Sequence, residues 1–546
     1  MTDTCHVDTF VLDNLPSADQ MPDFINLDRL GYPAQLNATV ELVDRHVAEG
    51  RGERVAVIGP DVSWTYAELA RLIDRMANVL VGKLGLVPGN RVLLRSANNP
   101  TLVALYMAVI KAGGIVVATM PLLRAKELVK IIDKARIDLA FCDASLSDEM
   151  DNAASASPVL ARVVTWSGTA GGELGELLEN VSDRFDAAAT RADDSCLLGF
   201  TSGTTGLPKA TIHYHRDLLV ICDCYAKDVL RANADDVFIG SPPLAFTFGL
   251  GGVVLFPFRI GATAVLIEKA APLDLAKAIG DYRATVCFTA PTAYRAIAAK
   301  SEEFDLSSLR KCVSAGETLP PPTYEAWLKA TGLKLMDGIG ATEMLHIFIA
   351  AREDDIRRGA TGRPVPGYEA RVIDADGKRC PTGTPGHLAV RGPIGCRYLA
   401  DDRQAAYVQS GWNITGDTYV EDADGYFWFK ARNDDMIVSS GYNIAGPEVE
   451  ASLLAHPAVA EAGVVGAPDA DRGCIVKAYV LLADGQAGDA ALVKALQDHV
   501  KQDLAPYKYP RSIVFVEALP KTESGKLQRF ALRQQAEREA SQGEMA

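Results

Sequence analysis

The chain has 546 residues, 48% of them hydrophobic and 23% charged, a balance that excludes a disordered chain and a length that exceeds one ordinary core. A net charge of -15 excludes nonspecific nucleic-acid binding, which needs a basic surface, so a polyanionic ligand must be met by a local cluster of donors. The start, Met1-Thr2-Asp3-Thr4-Cys5-His6-Val7-Asp8, lacks the basic and apolar regions of a signal peptide. The ten cysteines, closest at Cys222 and Cys224, lack zinc-finger spacing, so the chain reads as cytoplasmic with reduced, mostly buried thiols.

The first third alternates helices and strands. Apolar residues at helical spacing predict a helix over 64–84, a strand over 91–95, a helix over 102–111 and a strand over 115–119. The apolar window 102–123 contains Lys111 and a Gly113-Gly114 break, so it reads as buried helix, turn and strand rather than a membrane span. A helix over 126–134 and a strand over 139–142 follow, and the Ala/Ser-rich stretch near 153–157 reads as a loop. This βα rhythm predicts parallel sheets covered by helices.

The apolar strand over 196–200 runs into Thr201-Ser202-Gly203-Thr204-Thr205-Gly206-Leu207-Pro208-Lys209. Glycines let backbone approach a ligand, hydroxyl and N–H groups donate to anionic oxygens, and a lysine adds a mobile charge. The loop is therefore built for a polyphosphate, yet it does not fit the Walker A pattern, and Pro208 precedes the lysine. The competing reading of such a loop alone is a surface turn.

Strands over 237–240, 264–267, 286–289 and 311–314 resume the rhythm. Segment 357–430 turns rich in glycine and in β-branched and aromatic residues, which predicts an antiparallel or barrel-like subdomain. After Asn433-Asp434-Asp435 a compact α+β unit is expected: helix 447–455, strands 460–465 and 475–482, helix 490–504, strand 512–516. The tail after Arg533 reads as a frayed terminus.

The loop at 201–209, Asp337-Gly338-Ile339-Gly340-Ala341-Thr342-Glu343, Thr415-Gly416-Asp417, Lys430-Ala431-Arg432-Asn433-Asp434-Asp435 and Pro520-Lys521-Thr522-Glu523-Ser524-Gly525-Lys526 occur in that order. Together, over roughly 50–530, the chain resembles the adenylate-forming superfamily of acyl- and aryl-CoA synthetases, peptide-synthetase adenylation domains and beetle luciferases. The stretch 337–348, with Phe246-Thr247-Phe248-Gly249-Leu250-Gly251, looks like the benzoate-CoA and 2-aminobenzoate-CoA ligases. The resemblance implies an α/β fold. A large N-terminal domain over 1–433, of two α/β subdomains and a small β-barrel-like one, precedes a small mobile α+β C-terminal domain over 434–546.

It also implies a two-step reaction. A carboxylate attacks the α-phosphate of ATP to give an acyl-adenylate and pyrophosphate, and the thiol of coenzyme A then displaces AMP. An ionised carboxylate needs charge stabilisation and in-line placement rather than a general base. By resemblance, Lys526 is the cation of the first step, and Thr201, Ser202, Gly203, Thr204, Thr205, Gly206 and Lys209 hold the β- and γ-phosphates. Thr342 faces the α-phosphate and Glu343 holds Mg2+, which favours oxygen ligands. Ala315-Gly316-Glu317 and Asp337-Gly338 resemble the adenine slot, and Ile339 is counted with the ATP/AMP-binding residues. Asp417 accepts the ribose hydroxyls with help from Arg432.

Asp434 matches the hinge on which the C-terminal domain turns, and Ser440, Gly441, Tyr442 and Asn443 match the loop presented to coenzyme A. The thiol of coenzyme A, with a pKa of about 8.5, is partly ionised at neutral pH. Lys501, Lys508 and Arg511 are candidates for its phosphates, with solvated surface charges as the competing reading. The acyl pocket is expected between Phe246, Thr247, Phe248, Gly249, Ala315, Gly340, His346 and Ile347, as a flat apolar slot in which Gly340 and Ala315 leave room for a ring. His346 and Thr247 either meet a ring substituent or are satisfied internally.

The expected partners are an aromatic carboxylate, ATP and coenzyme A, without nucleic acid or membrane, and a homodimer stays open. Competing functions are loading of a separate carrier protein, activation of an alicyclic acid, a luciferase-like oxygenase and a noncatalytic nucleotide sensor.

Overall fold

The structure, a computed structural model, describes residues 4–201, 208–432, 435–439, 442–469, 473–504, 506–521 and 526–543. Ser202, Gly203, Thr204, Thr205, Gly206, Asp434, Ser440 and Gly441 lie outside the described residues. Three sheets build the large domain. The first has six strands, in spatial order Arg162–Trp166, Leu139–Asp143, Arg91–Arg95, Ile115–Thr119, Ser195–Thr201 and Lys209–Tyr214. Its first five strands pair in parallel, and the last closes antiparallel, with Thr201 opposite Lys209.

The second sheet has nine strands, with Leu335–Gly340 between Lys311–Ala315 and Ile347–Ala350. Lys311–Ala315 and Leu335–Gly340 run parallel, so Ser314 lies opposite Asp337 and Ala315 opposite Gly338. Both strands thus end together, which brings Ala315-Gly316-Glu317 beside Asp337-Gly338. Ligands of open α/β sheets bind at such carboxyl ends. The third sheet is antiparallel and contains Glu369–Ile373, Gly386–Arg391, Trp412–Glu421 and Phe427–Arg432. It is the expected β-rich subdomain, except that Arg363–Pro364, inside the predicted span, joins the nine-stranded sheet.

The small domain packs helices Gly446–Leu454 and Ala490–Asp503 on strands Val459–Asp469, Gly473–Leu482 and Ser512–Phe515. A hairpin of Met436–Ser439 and Tyr442–Ala445, not predicted, leads into it.

Three expectations are corrected. Trp64 belongs to strand Val62–Thr65, and the helix starts at Tyr66 because Thr65 caps it: the Glu68 N–H donates to the Thr65 hydroxyl, and the Thr65 N–H donates to Glu68 Oε2 at 2.8 Å. The stretch 153–157 is mostly helix, Ser147–Ala156, held by the buried Met150 and Ala153. The tail is helix Arg529–Gly543, whose Leu532 and Ala536, one turn apart, pack beside Val465, Ala467 and Tyr479. Its low overall hydrophobicity hides that two-residue stripe.

All ten cysteines are free. Among the described residues no helix is long and apolar enough to cross a membrane.

Candidate active site

Strand Ser195–Thr201 delivers Thr201 to the mouth of the large domain, where its hydroxyl oxygen is buried without a hydrogen-bond partner among the described residues. Lys209 stands opposite, and its Nζ donates to the Tyr398 hydroxyl at 2.8 Å and lies 3.5 Å from Glu343 Oε1. The Tyr398 hydroxyl donates to that same Oε1. Lys209 also lies over the Tyr398 ring, 4.8 Å from its centre. Burial first, and then the Glu343 charge, push the Tyr398 phenol well above its ordinary pKa, so it stays a donor. Glu343 is 7% exposed, and both neighbours address Oε1. Its carboxylate has the oxygen chemistry that Mg2+ requires.

Thr342 and Glu343 open the single 3-10 turn Thr342–Met344, directly after strand Leu335–Gly340. Gly199 lets this turn approach. A Cβ there would stand 2.7 Å from Thr342 Cγ2 and 3.8 Å from both Thr247 Cγ2 and His213 Nε2. Thr342, Thr247 and His213 therefore converge over one glycine of the strand that carries Thr201. His213 is fully buried, and burial lowers its pKa, so its imidazole is neutral. Its Nε2 donates to the Thr342 carbonyl at 2.8 Å, while Nδ1 faces Asp217 at 3.8 Å.

The loop after Lys311–Ala315 leaves the strand beside the one that leads into Thr342. Gly316 has a φ of +88°, a conformation that glycine adopts without strain. A Cβ on it would lie 3.6 Å from Lys526 Cε and 3.9 Å from Nζ, so Lys526, from the small domain, reaches the large domain at this loop. Burial raises the pKa of the neighbouring Glu317, while Thr292 and Lys526 oppose the shift. Asp337 Oδ1 and Ser314 Oγ, on partnered residues, are both buried without a hydrogen-bond partner among the described residues. Burial drives the Asp337 carboxyl well above its ordinary range. Asp337 lines a small cleft with Leu319, Tyr324, Ile356 and Gly359. Asp417 is 6% exposed and stands opposite Arg432 on adjacent strands.

The expected acyl pocket is aromatic. His346, 2% exposed, has ring centres of Phe256 at 4.6 Å, Phe248 at 5.6 Å, Tyr225 at 5.7 Å and Phe288 at 6.3 Å. Burial lowers its pKa to about 3. Neither ring nitrogen of His346, nor the Tyr225 hydroxyl, has a hydrogen-bond partner among the described residues. Two glycines of the π-helical segment Leu250–Leu255 make this packing possible. A side chain at Gly251 would collide with the His346 ring, and one at Gly252 would come 2.6 Å from Phe288.

Not every small residue opens space for a ring. A Cβ on Gly340 would meet the His346 carbonyl at 2.7 Å, and one on Gly338 would meet Ile347 at 2.9 Å. Both glycines instead serve the tight pairing of Leu335–Gly340 with Ile347–Ala350. Gly249 lies against the carbonyls of Pro242 and Pro243, and the Phe246 carbonyl accepts from the Leu250 N–H.

The domains are also tied away from Lys526. Lys430 donates to Glu448 at 2.8 Å across the junction, and Lys508 donates to the other oxygen of Glu448 at 2.5 Å. Arg295 donates to the Val459 carbonyl at 3.1 Å. Of the residues predicted for coenzyme A phosphates, Lys508 is thus engaged by Glu448, Lys501 pairs with Asp498 at 3.2 Å, and Arg511 lies 4.9 Å from the centre of the Tyr509 ring. Tyr442 and Asn443 form part of strand Tyr442–Ala445.

Tyr398, His213 and Tyr225 were not singled out from the sequence. Tyr398 lies far along the chain from both partners it bridges, and no local spacing marks it. The only hint for His213 is its place in Ile212-His213-Tyr214-His215, just after the glycine-rich loop.

Residues 44–398 match the family described as AMP-binding enzyme, and residues 448–526 match the AMP-binding enzyme C-terminal domain. The benzoate–CoA ligase of Thauera aromatica is 37% identical over 508 residues, covering 92% of this chain and 96% of its own length. The crystal structure of an anthranilate CoA ligase in complex with anthranoyl-AMP superposes with a TM-score of 0.90 at 34% identity, over 93% of this chain and 99% of that one. A benzoate CoA ligase from Burkholderia xenovorans LB400 superposes with a TM-score of 0.83 at 32% identity, over 91% of this chain and 100% of that one.

Proposed function

The chain belongs to the family of AMP-binding enzymes and is a ligase, and from that premise we propose that it joins an aromatic carboxylate to coenzyme A through an acyl-adenylate, releasing AMP and pyrophosphate. The observation that carries this reading is the approach of Lys526 to Gly316, at the end of the strand beside the one that leads into Thr342. A carboxylate and an α-phosphate bound side by side at this loop would meet Lys526, the cation that neutralises them as charge builds up. Holding the two reactants in line supplies much of the acceleration.

Each remaining residue has a matching task. Thr201 and Lys209 face the outer phosphates. The unpartnered oxygen of Asp337 suits an exocyclic amine of the base, and Asp417 suits the ribose diol. Mg2+, held by Glu343 and phosphate oxygens, would offset phosphate charge. The aromatic surround of His346 suits a flat ring. The names of the relatives point to benzoate or 2-aminobenzoate as the acid. The arrangement in which Lys526 meets Gly316 corresponds to the first half-reaction. For the second, the C-terminal domain would turn about Asp434 and present 440–443 to the pantetheine arm.

The test is pyrophosphate exchange into ATP with benzoate, 2-aminobenzoate, hydroxybenzoates and alicyclic acids, followed by AMP release with coenzyme A or a carrier protein as acceptor. Lys526→Ala is expected to cut exchange by about a thousandfold or more, while thioester formation from supplied acyl-adenylate largely survives. Equal loss in both half-reactions, or no exchange with any aromatic acid, overturns the reading.

A further inference from the structure

Cys5, His6 and Asp194 bring a thiol, an imidazole and a carboxylate together away from the ligase site. One ligand atom of each lies within 4.8 Å of the other two. His6 and Asp194 are 8% and 5% exposed, and Cys5 is partly buried. The backbone shapes the cluster. Val7 and Asp8 donate their N–H groups to the Pro88 carbonyl at 2.9 and 3.0 Å, which holds the start of the chain over the six-stranded sheet. Asp194 closes the turn before strand Ser195–Thr201, and its Oδ2 accepts from the N–H groups of Arg191 at 2.8 Å and Cys5 at 3.2 Å. Oδ1 accepts from the Thr4 hydroxyl.

Those bonds explain why Asp194 is buried, but not why an imidazole is buried beside it. Nε2 of His6 has no hydrogen-bond partner among the described residues. The imidazole, carboxylate and thiol each offer a ligand atom within 4.8 Å of the others, a set of donors awaiting an acceptor of electron pairs.

We propose that Cys5, His6 and Asp194 form a Zn2+ site that staples the N-terminal segment to the base of the strand leading to Thr201. One sulfur, one nitrogen and one oxygen suit a borderline-soft cation that accepts four tetrahedral ligands, the fourth being water. They do not suit Mg2+, which takes near-octahedral oxygen ligands, so the cation that accompanies ATP does not compete. Charge balances as well, because Zn2+ with one thiolate and one carboxylate is neutral, which a largely buried site requires. On binding, the Cys5 S–H bond breaks, sulfur ligates the metal and the proton leaves to solvent. His215 also has a buried, unpartnered Nε2, but its Nδ1 accepts from the Ala38 N–H at 3.1 Å. Its proton therefore sits on Nε2, and it cannot serve as a fourth ligand in this tautomer.

The experiment uses the full chain, stripped with a chelator and titrated with Co2+. The expected result is about one equivalent bound, with a thiolate-to-cobalt charge-transfer band that Zn2+ displaces. Cys5→Ser removes the band while nine other cysteines remain. His6→Gln, which keeps a polar side chain of similar reach, weakens Co2+ binding by about tenfold or more. Absence of the band in the wild-type chain overturns the proposal. So does a band that survives in Cys5→Ser, or undiminished Co2+ affinity in His6→Gln. Pyrophosphate exchange is measured in parallel and is expected to persist in both variants, which separates this proposal from the ligase reading.

Discussion

His213 holds the carbonyl of Thr342 through an Nε2–H bond of 2.8 Å, and both residues press against Gly199. The turn that presents Thr342 is thus fixed from behind by a neutral, fully buried imidazole. His213→Ala is expected to slow pyrophosphate exchange by roughly 10–100-fold, because small misplacement of a positioning group costs about two orders of magnitude. His213→Gln, whose amide can donate to the same carbonyl, is expected to recover part of that rate. Equal rates in Ala and Gln variants would show that the bond positions nothing.

Tyr398 links Lys209 to Glu343. Tyr398→Phe keeps the ring under Lys209 but leaves Glu343 without that donor, a loss of about 1–3 kcal/mol at a buried charged acceptor. The expected outcome is a roughly tenfold lower exchange rate with a higher Mg2+ requirement. Titration of the rate with Mg2+ checks it, and an unchanged midpoint removes Tyr398 from this role.

Gly251 allows the His346 ring to lie on its backbone. Gly251→Ala adds one methyl where none fits, an overpacking cost of about 1–3 kcal/mol. If the proposed function holds, displacement of His346 should lower kcat/KM for the carboxylate by about tenfold while KM for ATP stays put. Thermal unfolding and steady-state kinetics on the same preparation check both parts.

Asp217 and Arg397 form an ion pair in which both side chains are fully buried. Burial pushes the Asp217 carboxyl up, but the Arg397 charge outweighs it, and the pKa falls to about 2. The folded pKa lies below the unfolded value of about 3.9, so this stabilisation is fully present above about pH 4 and is lost as pH falls toward about 2. The difference is about 2–3 kcal/mol. Denaturant unfolding at pH 6 and pH 3 should show about half of it in the wild-type chain and none in Asp217→Asn. That variant should itself lose roughly 3–5 kcal/mol, because Arg397 remains buried without its counter-charge.

Much of the architecture was readable from residues alone. Strands 91–95, 115–119 and 286–289 appear where their apolar runs predict them, because a buried parallel strand must be apolar on both faces. The boundary at Trp64 was misread because its apolar side chain extends the helical pattern, whereas the Thr65 cap decides the start. The terminal helix was misread because its few apolar residues gain meaning only against Tyr479 and Val465.

The site divides in the same way. By itself the sequence determined the motifs, their order and the family they point to, because glycine-rich loops and strand-turn signals are written in neighbouring residues. Only the tertiary structure decided that Lys526 meets Gly316, that Tyr398 joins Lys209 to Glu343, and that Gly340 accommodates backbone rather than a ring. Those are contacts between distant segments, set by how sheets and domains pack, and packing depends on shapes that no local stretch of chain encodes.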